Sequence, residues 1–89
     1  MPMARSLRIP LGQVVATPGV IAAVPNVEMM QALARHKRGD WGELCPEDAR
    51  ENELGFRLLS AYTSSAGVKF WIITEADRSA TTFLLPAEY

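Results

Sequence analysis

With 89 residues, 48% of them hydrophobic and 21% charged, the chain fits one small globular domain and is too apolar to stay disordered. Its net charge of −1 gives no support to a nucleic-acid binder and none to an acidic DNA mimic. A single cysteine, Cys45, excludes an internal disulfide.

No apolar run approaches the ~20 residues of a membrane span, and the arginine-bearing start lacks the apolar stretch of a signal peptide. A membrane association is not expected, and the lone thiol suits a reducing compartment, so a cytoplasmic location is expected. Charge is uneven. Residues 1–38 carry five basic side chains against Glu28, whereas residues 39–55 carry six acidic ones against Arg50. Solvated helix faces account for such polarity.

In chain order, Met1–Ser6 reads as a mobile tail. Leu7–Ala16 is apolar but interrupted by Pro10 and Gly12, which leaves a short strand near Gln13–Ala16 at a sheet edge. Thr17-Pro18-Gly19 places a capping hydroxyl ahead of a proline, and a short helix follows with Val20, Ile21 and Val24 as its apolar residues. Pro25 stops it. Asn26 can cap a second helix from Val27 to about Lys37, whose core stripe reads Val27, Met30, Leu33 and Ala34. Arg35-His36-Lys37-Arg38 suits the negative end of that helix, and Gly39 can take the left-handed position beyond it. Trp41 is expected to plug the core. Pro46 opens a third helix to about Leu54, nearly all polar and therefore on the surface.

From Phe56 onward the pattern changes to strands. Arg57–Thr63, Val68–Glu75 and Ala80–Leu85 are rich in β-branched and aromatic residues. Ser64–Gly67 and Ala76–Ser79 connect them, so a three-stranded antiparallel meander is expected. The fold class is therefore α+β, a single domain over 1–89. Its expected core is Val14, Ile21, Met30, Leu33, Trp41, Leu59, Val68, Phe70, Ile72 and Leu84.

Along the middle strand Phe70 and Ile72 share the core face, while Lys69, Trp71, Ile73 and Glu75 share the other. Two apolar residues between two charges do not suit a fully solvated face. Trp71 and Ile73 therefore form a partner-binding or self-association surface, or the segment around Leu7, Ile9 and Leu11 folds back over them.

Few residues suggest chemistry. His36 and Cys45 match no closed zinc pattern, so no metal is expected, nor any cofactor. Nucleophile elbows and phosphate-binding glycine loops are absent from the sequence. The polar stretch Glu75-Ala76-Asp77-Arg78-Ser79, with the hydroxyls of Thr81 and Thr82, reads either as a ligand-binding group (Asp77, Arg78 and Ser79 foremost) or as a turn that satisfies its own backbone. An enzymatic alternative, a small toxin-like ribonuclease, would use Arg78 and Glu75 with His36 or Tyr62. Such enzymes are usually basic because they hold phosphates, and this chain is not.

Three stretches carry a resemblance. They are L-G-Q-V-V-A-T-P-G at Leu11–Gly19, R-H-x-x-G-D-W-G at Arg35–Gly42, and W-I-I-T-E-A-D-R-S-A-T-T-x-L-L-P-x-E-Y at Trp71–Tyr89. With these the chain resembles a family of small, functionally uncharacterised bacterial proteins encoded on plasmids, integrative elements and phages. Leu44-Cys45-Pro46 departs from the family's wording. The resemblance implies a mobile-element setting and brings no catalytic residue with it. A non-enzymatic interaction or regulatory protein, acting on host defence or plasmid maintenance, is the function expected.

Overall fold

The structure, a computed structural model, describes residues Ile9–Tyr89; the expected tail Met1–Ser6, and Leu7 with it, lies outside the described residues. A short strand, β1 (Gln13–Ala16), leads into helices α1 (Pro18–Ala23), α2 (Asn26–Lys37) and α3 (Pro46–Glu53). Strands β2 (Leu58–Thr63), β3 (Lys69–Thr74) and β4 (Ala80–Leu84) follow, and a 3₁₀ turn at Pro86–Glu88 ends the described elements.

The strands form one mixed sheet in the order β1-β4-β3-β2. β2, β3 and β4 pair antiparallel, with Tyr62 opposite Phe70 and Ile72 opposite Phe83. β1 joins the far edge parallel to β4, Val14 beside Thr81 and Ala16 beside Phe83. No helix among the described residues is long and apolar enough to cross a membrane.

Local chemistry explains the helix ends. The Thr17 hydroxyl accepts from the Val20 amide, with Pro18 at the first helical position. The Glu88 carboxylate reinforces that end by accepting from the Thr17 hydroxyl and the Gly19 amide. α2 starts one residue earlier than Val27, at Asn26, behind Pro25 and without a side-chain cap. It ends in a Schellman arrangement: the Gly39 amide donates to the His36 carbonyl and the Asp40 amide to the Arg35 carbonyl. Gly39 has φ +83°, where glycine has no Cβ penalty. An Arg35–Asp40 ion pair, 2.8 Å, closes the same turn.

One face of the sheet carries the main core. Phe70, Ile72, Phe83 and Tyr62 lie beneath Val20, Val24, Met29 and Ala32, all buried. Phe70 and Ile72 are buried on this face as their strand phase requires and Leu84 is buried on the other, while Leu33, Trp41, Leu59 and Val68 are half-buried. Three expected core residues are not in the core: Val14, Ile21 and Met30 are 43%, 59% and 46% exposed. The reason is phase. α1 turns Val20 and Val24 inward, four apart, which leaves Ile21 about 100° round the helix. α2 buries Met29, Ala32 and His36, so Val27 and Met30 point outward. Val14 sits on an edge strand whose outer side no other described strand covers.

The opposite face is covered from the far end of the molecule. Ile73 and Leu84 are 5% and 6% exposed, and Trp71 is half-buried with the Tyr89 ring edge-on to it at 5.7 Å. Arg57 holds Tyr89 in place, donating to its hydroxyl and lying 5.2 Å from its ring centroid. α3 closes the β2 side despite its polarity. Asn52, 5% exposed, donates to the Leu59 carbonyl at 2.8 Å and accepts from the Leu59 amide at 3.0 Å. A side-chain amide here takes the part of a neighbouring strand. Farther along the same edge, the Ala61 amide donates to the Trp41 carbonyl and the Glu43 amide to the Ala61 carbonyl. A Cβ on Gly42, between them, would stand 2.1 Å from the Ala61 carbonyl oxygen, so only glycine permits that approach.

Candidate functional site

The most organised polar group in the molecule is buried between α2 and the sheet. His36 is fully buried in the last turn of α2. Its Nδ1 lies 2.6 Å from the Ser60 hydroxyl on β2, and its Nε2 lies 2.8 Å from the Thr74 hydroxyl on β3. Thr74 is 2.8 Å from the Thr81 hydroxyl on β4, and Thr81 donates to the Leu11 carbonyl at 2.8 Å. Ser60, Thr74 and Thr81 are themselves fully buried.

The last acceptor sets the direction of every bond. A carbonyl can only accept, so Thr81 spends its one hydrogen on Leu11 and must accept from Thr74. Thr74 then accepts from His36, which places the ring hydrogen on Nε2 and leaves Nδ1 to accept from Ser60. The ring is therefore a neutral Nε2–H tautomer. Burial, and secondarily the positive charge of Arg78, push its pKa down from 6.5 to about 4. Trp41 closes the outer side, edge-on at 5.6 Å.

Chemically the group is satisfied. No buried side-chain polar atom among the described residues lacks a partner. A neutral, fully bonded imidazole without solvent contact holds three strands and a helix in register; it offers no proton to an outside substrate. The Tyr62 hydroxyl is likewise committed, donating to the Asp40 carbonyl at 2.6 Å, and burial raises its pKa.

The Glu75–Ser79 segment is a turn that satisfies itself. Asp77 accepts from the Ser79 amide at 3.0 Å, and hydrogen bonding from the Ser79 side chain and then from that amide holds its carboxyl below the usual range. Arg78 has φ +62°, a left-handed conformation uncommon for an arginine. Its guanidinium donates to the carbonyls of Phe56, Glu75 and Ala76 at 3.0–3.2 Å. It reaches backbone carbonyls rather than the carboxylates of Glu75 or Glu88, and Glu75 stays exposed. The candidate site residues thus separate. Asp77, Arg78 and Ser79 lie in the β3–β4 turn, Trp71 and Ile73 on the face under Tyr89, and His36 on the opposite side of the sheet. Among the described residues no three His, Cys, Asp or Glu side chains are grouped to hold a metal ion.

Of Ser60, Thr74, Thr81 and Asn52, the sequence pointed only to Thr81, as a hydroxyl beside the Glu75–Ser79 stretch. The signal for the first three was strand alternation: Ser60 shares a face with Leu58 and Tyr62, and Thr74 with Phe70 and Ile72. A polar residue in phase with core residues demands a buried partner.

An open apolar groove of about 340 Å³ runs between β1 and the helices. Val14, Val15, Ile21 and Met30 line it above Phe83, and none of its lining residues is charged. The fold and these features define the class as an α+β protein with a four-stranded mixed sheet and a buried histidine chain. No family model matches the chain, and neither the curated proteins nor the solved structures contain a match to it.

Proposed function

We propose that this chain is a small, non-enzymatic interaction or regulatory protein of a mobile genetic element, acting on host defence or plasmid maintenance through a protein partner or through self-association. The supporting observation is the charge-free groove at the β1 edge, where Val14, Val15, Ile21 and Met30 are 40–59% exposed. Clustered exposed apolar residues mark contact surfaces. The mobile-element setting rests on the resemblance carried by Arg35–Gly42 and Trp71–Tyr89. Trp71 and Ile73 offer less free surface than the β1 edge, since the Tyr89 ring lies against Trp71 and Ile73 is 5% exposed.

The ribonuclease alternative draws little support from the same geometry. His36 is sealed, Tyr62 is bonded to a carbonyl, and Arg78 is spent on its own backbone. Induced expression in a bacterial host tests the reading. Growth should continue with cellular RNA intact, and a photo-crosslinking residue at Ile21 should capture a defined protein partner or a second copy. Growth arrest with RNA cleavage, abolished by the surface change Glu75→Gln, would reverse it.

A further inference from the structure

The two long edges of the sheet differ in what their main chains can still do. On the β1 side, the Gln13 and Thr17 amides donate inward to the Ser79 and Phe83 carbonyls of the β4 side, each at 3.0 Å. Backbone groups alternate along a strand, so the N–H and C=O of Val14 and Ala16 point away from the sheet. No described strand meets them. Apart from its shortness, four residues, β1 carries none of the devices that usually guard an edge: it reads Gln-Val-Val-Ala, without charge, proline or bulge.

We infer that β1 pairs with β1 of a second copy of this chain, antiparallel about a twofold axis through Val15, to make a continuous eight-stranded sheet. The inference rests on the interaction reading above and names its partner. Three observations carry it.

The first is hydrogen-bond register. With Val15 opposite Val15 of the second copy, Val14 faces Ala16 in both halves, and these outward-pointing residues exchange four main-chain bonds. Pro18, which has no N–H, ends the ladder on the next outward position.

The second is chemistry. An uncharged apolar groove disfavours a nucleic acid or an acidic peptide and favours an uncharged apolar strand. β1 is such a strand, and a twofold contact needs only one self-complementary patch.

The third is size. The exposed apolar residues around the edge are few (Val14, Val15, Ile21 and Met30, 40–59% exposed), a patch smaller than the about 800 Å² per partner of a standard interface. With four main-chain bonds added, that area predicts a dimer of moderate affinity, populated only at high concentration.

Sedimentation of the full chain at concentrations up to about 1 mM tests this, because an interface of this size should associate there. Wild type should pass from monomer to dimer. Val15→Lys should weaken association about a hundredfold or more, because it sets two ammonium groups side by side at the twofold. Val15→Asp should do the same, and an equimolar mixture of the two variants should recover a heterodimer. That recovery also shows that both variants fold. A wild type that stays monomeric throughout overturns the inference, as does a dimer indifferent to Val15→Lys. Neither result touches the non-enzymatic reading, which the expression experiment decides separately.

Discussion

The β2 edge and the β1 edge close the same sheet by opposite means. At β2 the chain covers its own exposed main chain: Asn52 serves Leu59, and the Trp41–Glu43 segment serves Ala61. At β1 nothing described covers Val14 and Ala16 on the outer side. Asn52 is 5% exposed, whereas Val14 is 43%. A small domain has few residues with which to protect edges, and among the described residues this one spends them on the β2 side. The unprotected edge is therefore the informative one.

Both edges depend on the core between them, and its loss is the largest effect expected. Phe70 is 2% exposed in the main cluster. Phe70→Ala should cost about 3–5 kcal/mol, a large share of the stability of so small a domain. Urea melts would measure it, and a loss under about 1 kcal/mol would mean that the two edges are held by something other than this core.

Acid should act next, through the histidine that ties α2 to three strands. The folded-state pKa of His36, about 4, lies below its ordinary 6.5, so the unfolded chain binds the extra proton first. Stability from this group is complete above pH 6.5, falls as the pH drops toward 4, and is flat below. The gap amounts to about 3 kcal/mol. Melts across that range should show the slope in wild type and its loss in His36→Gln. An imidazole that titrates near 6.5 by NMR would contradict the burial argument.

Asn52→Ala addresses the edge comparison directly. It should cost about 2 kcal/mol, because it leaves the Leu59 amide and carbonyl without their partner. It should also turn a guarded edge into an open one. The expected readout is a lowered denaturation midpoint together with concentration-dependent light scattering absent from wild type. The smallest effect belongs to the open side: Ile21, 59% exposed, should tolerate Ile21→Asn within about 0.5 kcal/mol of wild-type stability. A larger loss would show that the groove is not free surface.

Much of this was legible in the residues. Gly67 and the Ala76–Ser79 turn bound β3 as their chemistry requires, and Thr17-Pro18 opens α1. The phase of α2 was not legible. Val27, Met30, Leu33 and Ala34 make a plausible apolar stripe, but the buried one runs Met29, Ala32, His36. Its last member is a polar residue in a basic cluster that helix-end electrostatics explain equally well. Only the three hydroxyls opposite, contributed by three different strands, pull that side inward. The covering of the Trp71 face was hidden for a similar reason. It comes from the C-terminal residues, with Tyr89 against Trp71, while α3, whose only strongly buried side chain is an asparagine, closes the adjoining β2 edge. Hydrophobic counting weighs neither. The parallel β1–β4 pairing joins residues far apart in the chain, and no local pattern announces it.

That pairing also sets an order of events. Gln13 meets Ala80 across 67 positions (80 − 13), whereas Thr74 and Thr81 of the β3–β4 hairpin are 7 apart (81 − 74). Chain-closure entropy makes the longer contact about 2 kcal/mol more costly to initiate, so the hairpin assembles early and β1 arrives late. Leu11, just ahead of β1, supplies the carbonyl that receives the final hydrogen of the histidine chain. Until it arrives, Thr81 has no fixed acceptor, and nothing dictates which nitrogen of His36 holds the proton. Tautomer choice thus becomes a record of whether the molecule has finished folding. Hydrogen exchange should find the Gln13 and Thr17 amides opening well before those of Phe70 and Ile72.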